Sequence, residues 1–172
     1  MSTKITVIGI DPGSTCTGWG VVQEASGVLT LVDCGAIRPK AKEFSERVGE
    51  IFLALSQIIE TLNCEQYLPL EAAIEDVFSG KSISSALKLG QARGAAVAAC
   101  ALHKLSVSNY PPTQVKQAVV GVGRAEKEQV SFMVGRLLGC QPKWGMDTSD
   151  ALAVAICHLN LRRLARFSAL AK

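Results

Sequence analysis

The chain has 172 residues and a formal net charge of +3. That is the length of one domain, about 100–200 residues, and it excludes a two-domain kinase or dehydrogenase. With 48% hydrophobic and 19% charged residues the chain is not disordered, and a mean hydropathy of +0.26 points to apolar surface buried against a partner.

Residues 5–10 (ITVIGI) form a short apolar, β-branched run that reads as a central buried strand. Asp11-Pro12-Gly13-Ser14 follows as a turn. Residues 18–23 and 29–37 read as two further strands around a hairpin turn at 24–27, so the first three strands form an antiparallel meander. From 44 to 62 the period changes to 3.6, with Phe44, Val48, Ile51, Leu55 and Ile59 on one stripe of an amphipathic helix. Residues 72–78 return to strand. Residues 82–105 form a second long helix whose later half is rich in Ala, Gly and Val, so that another helix can approach closely within the fold or across a dimer. A fifth strand at 107–110 is stopped by Pro111-Pro112. Helices follow at 114–120, 125–138 and 148–166, the last ending in Arg162, Arg163 and Arg166. The order β-β-β-α-β-α-β-α is an α/β fold, a five-stranded mixed sheet with helices on both faces. It forms one domain over 1–172, whose last few residues read as a flexible basic tail.

Cys16, Cys34, Cys64, Cys100, Cys140 and Cys157 include no C-x-x-C pair. With no signal peptide ahead of the first strand, they read as free thiols of a cytoplasmic protein. No apolar run is long enough to cross a membrane. His103 and His158 are the only histidines, so a His-rich metal site is excluded.

Four carboxylates stand out by position. Asp11 ends the first strand, Glu75 lies within the apolar fourth strand with Asp76 on its opposite face, and Asp147 and Asp150 share one face at the start of the last helix. Taken singly, Asp11 reads as a turn residue and Asp147 as a helix cap. A carboxylate in a central strand is costly unless it is paired or holds a metal. Several converging carboxylates repel one another, and a divalent cation removes that conflict. All-oxygen ligation suits Mg²⁺ or Mn²⁺, and two such ions about 4 Å apart can activate water and stabilise the leaving oxygen in phosphodiester cleavage.

The segments IGIDPGSTCTGWGVV, IEDVFSGKSISSALKLGQARG, QVKQAVVGVGRAEKEQV and DTSDALAVAICH, in this order and spacing, resemble the RuvC family of Holliday-junction resolvases over most of the chain. The resemblance implies a ribonuclease H-like fold and a homodimer with one active site per subunit. It implies Mg²⁺-dependent nicking, with Mn²⁺ as substitute and two ions per subunit during catalysis. Two strands of like polarity in a four-way DNA junction are cut to 5′-phosphate ends, in recombination and repair, together with the RuvA–RuvB branch-migration complex. The acidic quartet of the family falls on Asp11, Glu75, Asp147 and Asp150, as catalytic residues and metal ligands. Lys116 and Lys127 match lysines near the scissile strand, where they neutralise phosphate. Phe78 matches an aromatic that stacks on unpaired bases; without the resemblance it reads as core packing. Arg124, in the basic loop after Gly121-Val122-Gly123, counts with the DNA-binding residues, whereas Lys88 and Arg93 read better as surface-pairing residues. A silent junction-binding module would lack one of the carboxylates, and all four are present. I-G-I-D-x-G also opens the phosphate turn of actin-like and sugar kinases, but these need a second domain and a second such turn.

Overall fold

A computed structural model describes residues 4–65, 67, 69–76 and 82–170. Strand β1 (Ile5–Asp11) pairs antiparallel with β2 (Thr17–Ala25), which pairs antiparallel with β3 (Val28–Ile37). On its other side β1 runs parallel to β4 (Leu70–Glu75), and β4 runs parallel to β5 (Val107–Tyr110), giving the sheet order β3-β2-β1-β4-β5. The expected meander and mixed sheet are both present. The hairpin closes on a two-residue turn, Ser26 and Gly27, both with positive φ (53° and 82°), the geometry whose twist suits a right-handed β-ribbon.

Strand alternation divides the interior into two cores. On one face Ile8, Ile10, Ala72 and Ile74 pack against α1 (Phe44–Cys64) and α2 (Ile83–Leu102), through Ile51, Leu55, Ile59, Ala92, Ala96 and Cys100. On the other, Val7, Val22 and Ala73 meet α5 (Met146–Leu170) through Leu152, Ala153 and Ile156. Helices α3 (Pro112–Val120) and α4 (Lys127–Leu137) close that side through Val115, Val119, Val130 and Val134. Among the described residues no helix is long and apolar enough to cross a membrane, and all six cysteines are free thiols.

The elements differ from expectation mainly at their ends. Strand β4 starts at Leu70 and ends at Glu75, so Glu75 is the strand's last residue rather than an interior one. Helix α3 begins at Pro112, because proline is tolerated where the first amide has no partner. Helix α4 begins at Lys127 instead of 125; the Gln129 side chain accepts from the Glu126 N–H at 2.9 Å and fixes that start. Helix α2 is capped by Ser82, whose hydroxyl accepts from the Ser85 N–H. Helix α5 begins at Met146 and continues to Leu170.

The contact between α5 and the sheet has no side-chain layer along part of its length. A Cβ built on Gly9 would overlap the Ala151 carbonyl oxygen and lie 2.7 Å from the Ala155 nitrogen. One on Gly18 would overlap the Asp147 carbonyl, and one on Gly20 the Leu152 side chain. Gly9→Ala is expected to lower stability by about 1–3 kcal/mol, as overpacking does, seen as a lower Tm in thermal unfolding. Gly49→Ala in α1, where a Cβ meets nothing within 4 Å, should instead raise stability by up to about 1 kcal/mol.

Candidate active site

Strand parity places two carboxylates side by side. Ile5, Val7, Gly9 and Asp11 share the α5 face of β1, and Glu71, Ala73 and Glu75 share that face of β4. The strands are parallel with Ile10 opposite Ile74, so Asp11 and Glu75 emerge together at their C-terminal ends. The turn after Asp11 is held by the buried Thr17 hydroxyl, which donates to the Gly13 carbonyl at 2.9 Å. Helix α5 enters at the same place. Asp147 and Asp150 lie in its opening turns, where the unpaired amides favour negative charge. The Thr148 hydroxyl donates to the Gly35 carbonyl at 2.9 Å and ties this end to β3.

The four carboxylates interact. Burial, then the charges of Asp150 and Asp147, push Asp11 up from 3.8 to about 7, with Lys127 opposing. Burial, then the charges of Asp11 and Asp150, push Glu75 up from 4.5 to about 8. Asp11 and Glu75 are hydrogen-bonded to each other, which requires a shared proton. The Lys127 ammonium donates to Asp150 Oδ2 at 2.7 Å, and this bond raises the lysine's own pKa. Among the described residues no three His, Cys, Asp or Glu side chains stand grouped so as to hold a metal ion; Asp150 is held by Lys127.

All four sequence-predicted carboxylates thus gather at one end of the sheet, with Lys127 among them. Lys116 is half-buried on α3 and Arg124 is exposed ahead of α4; neither forms an ion pair among the described residues. Phe78 lies outside the described residues. Asp76 is turned away and bonded to Arg93 at 2.9 Å, while Arg93 also donates to Asn109, so Arg93 ties β4, α2 and β5 together. Lys88 stands over the Phe44 ring at 5.8 Å.

Two features escaped the sequence reading. Burial, together with the neighbouring Asp147 carboxylate, pushes the Cys16 thiol up to about 11, with Arg38 opposing. Farther along α5, His158 Nε2 is 2.7 Å from Glu71, Tyr110 bonds His158 Nδ1 at 2.8 Å, and Arg162 pairs with Glu71 at 3.2 Å. Glu71's parity with Glu75 was the available signal for the second; nothing in the sequence distinguished Cys16.

Residues 7–158 match the family described as Crossover junction endodeoxyribonuclease RuvC. The chain belongs to the RuvC family. A relative of that description from Oleidesulfovibrio alaskensis is 64% identical, over 98% of this chain and 99% of its own length. One from Nitratidesulfovibrio vulgaris is 58% identical over 99% of this chain and 100% of its own. The solved structure of Thermus thermophilus RuvC in complex with Holliday junction substrate superposes with a TM-score of 0.83 at 33% identity, covering 94% of this chain and 96% of that one. The yeast mitochondrial Holliday junction resolvase Ydc2 superposes at 0.58 with 14% identity over 94% of this chain and 82% of its own, a likeness of fold alone. The ribonuclease H-like architecture implied by the sequence motifs is the one the chain adopts.

The raised carboxyls carry a pH dependence. The native, metal-free site keeps protons that the unfolded chain has already lost above its ordinary carboxyl range. Stability in a chelator should therefore fall as pH climbs from about 5 to about 8, by on the order of 5 °C in Tm. Asp11→Asn should flatten that profile and leave the variant more stable than the parent at the alkaline end. Parallel profiles for the two proteins would remove Asp11 as the source.

Proposed function

We propose that this chain resolves four-way DNA junctions as a homodimer, hydrolysing one phosphodiester in each of two strands of like polarity at a divalent-metal site formed by Asp11, Glu75, Asp147 and Asp150. The observation that carries this reading is the convergence of those carboxylates in a partly buried place where the protein supplies one close ammonium, Lys127. The remaining negative charge is relieved by protons on Asp11 and Glu75. A donor set of hard oxygens that cannot all ionise together fits Mg²⁺ or Mn²⁺.

When bound, such ions supply an activated water and neutralise charge on the scissile phosphate. The chain's own residues do the rest. Asp11 and Glu75, fixed at strand ends, provide rigid oxygens; Asp147 and Asp150 close over them from the start of α5. Lys127, the first residue of α4, is 61% exposed at its side chain. It can exchange Asp150 for a phosphate oxygen and face the charge that develops on it. Lys116, Arg124 and Phe78 belong to the DNA-contacting surface in this reading, and the RuvA–RuvB complex supplies the junction, as the family resemblance implies.

The homodimer draws support from α2. Ile83, Leu87, Gly90 and Gly94 fall on one exposed stripe of that helix, with Ile83 82% and Leu87 63% exposed. A Cβ on Gly90 or Gly94 meets nothing within 4 Å, so another backbone can come close.

Incubation with a synthetic immobile four-way junction and Mg²⁺ tests the activity. Paired, symmetric, ligatable nicks are expected, with no cutting in EDTA; indiscriminate nicking of linear duplex would reject the substrate. Asp11→Asn, Glu75→Gln and Asp150→Asn should each slow cleavage by about 100-fold or more while junction binding persists in a gel shift. Gly94→Arg should convert the dimer to a monomer in sedimentation and abolish coordinated paired cutting; an unchanged dimer would move the interface off α2.

A further inference from the structure

The opposite end of the molecule carries a feature that the nuclease reading leaves unused. From Asp147 to Asn160, α5 rises about 20 Å, towards the end of the sheet where the β2–β3 hairpin turns. There the hairpin, α4 with the segment after it, α3 and the later part of α5 line three cavities that share wall residues. The central one, about 440 Å³, lies among Val28, Leu137 and Leu138, with Arg136 and Arg163 in its wall. Through Arg136 and Gly139 it passes into a cavity of about 570 Å³ edged by Phe132 and Pro142. Through Asn160 and Arg163 it passes into one of about 460 Å³ lined by Leu161 and Leu164. The result is one furrow in which apolar and basic positions alternate: Phe132, Arg136, Val28, Arg163, Leu164.

Three features mark it as a surface that a partner covers. Val28, Phe132 and Leu164, one at each cavity, are 64%, 63% and 60% exposed, a cost for large apolar side chains unless a partner covers them. No carboxylate lines any of the three cavities. Among the described residues neither Arg136 nor Arg163 has an ion-pair partner; Arg163 donates to the side-chain Oδ1 of Asn160 at 3.3 Å.

We propose that this furrow docks an acidic, amphipathic peptide segment of a partner protein, with carboxylates on Arg136 and Arg163 and apolar side chains in the cavities between and beside them. Charge complementarity selects the occupant. A DNA backbone would satisfy the two guanidinium groups but would set polar sugar-phosphate against Val28, Phe132 and Leu164, where burial gains nothing. An acidic peptide with apolar residues interleaved satisfies both, and arginine with an aromatic is the pairing that concentrates binding energy at protein interfaces. The place suits the role, since a partner seated here leaves the carboxylate end free.

The test is fluorescence anisotropy with a labelled peptide of alternating Asp, Leu, Glu and Phe, against a control in which Asn and Gln replace the acids. The acidic peptide should bind the full chain with a Kd of roughly 1–100 μM, and the amide control about tenfold more weakly. Arg136→Ala with Arg163→Ala, and separately Val28→Ser, should each weaken the acidic peptide about tenfold or more. These surface variants should keep the parent's Tm, its dimer in sedimentation and its junction cleavage. Equal binding of both peptides, or no loss in the variants, overturns the proposal. So does loss of junction binding by the double-arginine variant, which would give the furrow to DNA, or loss of the dimer, which would give it to a second copy.

Discussion

The site depends on a helix that touches a sheet with no side chain between them. Where Gly9 and Gly18 face α5, the helix backbone rests on the strands, Ala151 over Gly9 and Asp147 over Gly18, while Gly20 makes room for the Leu152 side chain. Any other residue at Gly9 or Gly18 would lift the first turns, and Asp147 and Asp150 ride on those turns. The far part of the same helix is held by polar contacts. His158 and Arg162 grip Glu71 on β4, and Tyr110 on β5 meets His158 from the other side. Close packing sets the height of α5 at one end, and a buried hydrogen-bonded cluster sets its register at the other. Both act on the spacing between Glu75 and the two helix aspartates.

That spacing is electrostatically unfavourable, a cost that the proposed metal site would explain. The helix amides, Lys127 and a shared proton each relieve part of the repulsion, yet burial still holds Asp11 near 7 and Glu75 near 8. A site arranged for stability alone would pair each carboxylate with a base, as Asp76 is paired with Arg93 one residue beyond Glu75. The two neighbouring acids thus have opposite fates: Asp76, just beyond β4, is neutralised by Arg93, whereas Glu75 has no ion-pair partner among the described residues. Cys16 belongs to the same balance, because burial and the Asp147 carboxylate keep its thiol neutral and add no charge to the cluster.

Strand and helix order was legible because each element carries a clear period and ends in a proline, glycine or cap. The errors fell where local signals are shared. The apolar run suggested a strand over 72–78, whereas β4 ends at Glu75 with Asp76 outside it; Val77 and Phe78 lie outside the described residues. Pro112 looked like a stop for β5 and is also the start of α3. The acidic quartet was legible because carboxylates at strand ends and helix starts are few. Its proton sharing was not, since that depends on register: Ile10 against Ile74 brings Asp11 level with Glu75. The Glu71 cluster was hidden for a similar reason. His158 reads as one more residue in an apolar helix until the sheet behind it is known.

Helix α5 also reorders the meaning of the net charge. Its first turns hold Asp147 and Asp150, and its later turns hold Arg162, Arg163 and Arg166. This sense agrees with the helix dipole at both ends. The sheet repeats the arrangement, with the carboxylates of β1 and β4 at one end and Arg136 joining Arg163 beyond the hairpin at the other. A total of +3 therefore conceals two separated regions of opposite charge. Each region acts over about a Debye length, roughly 8–10 Å in physiological salt, which is short against the length of α5. A ligand near one end feels that end alone. In the two readings proposed above, the acidic end takes cations, and through them phosphate, and the basic end takes carboxylate. One helix thereby lets a small domain present two unlike surfaces without either weakening the other.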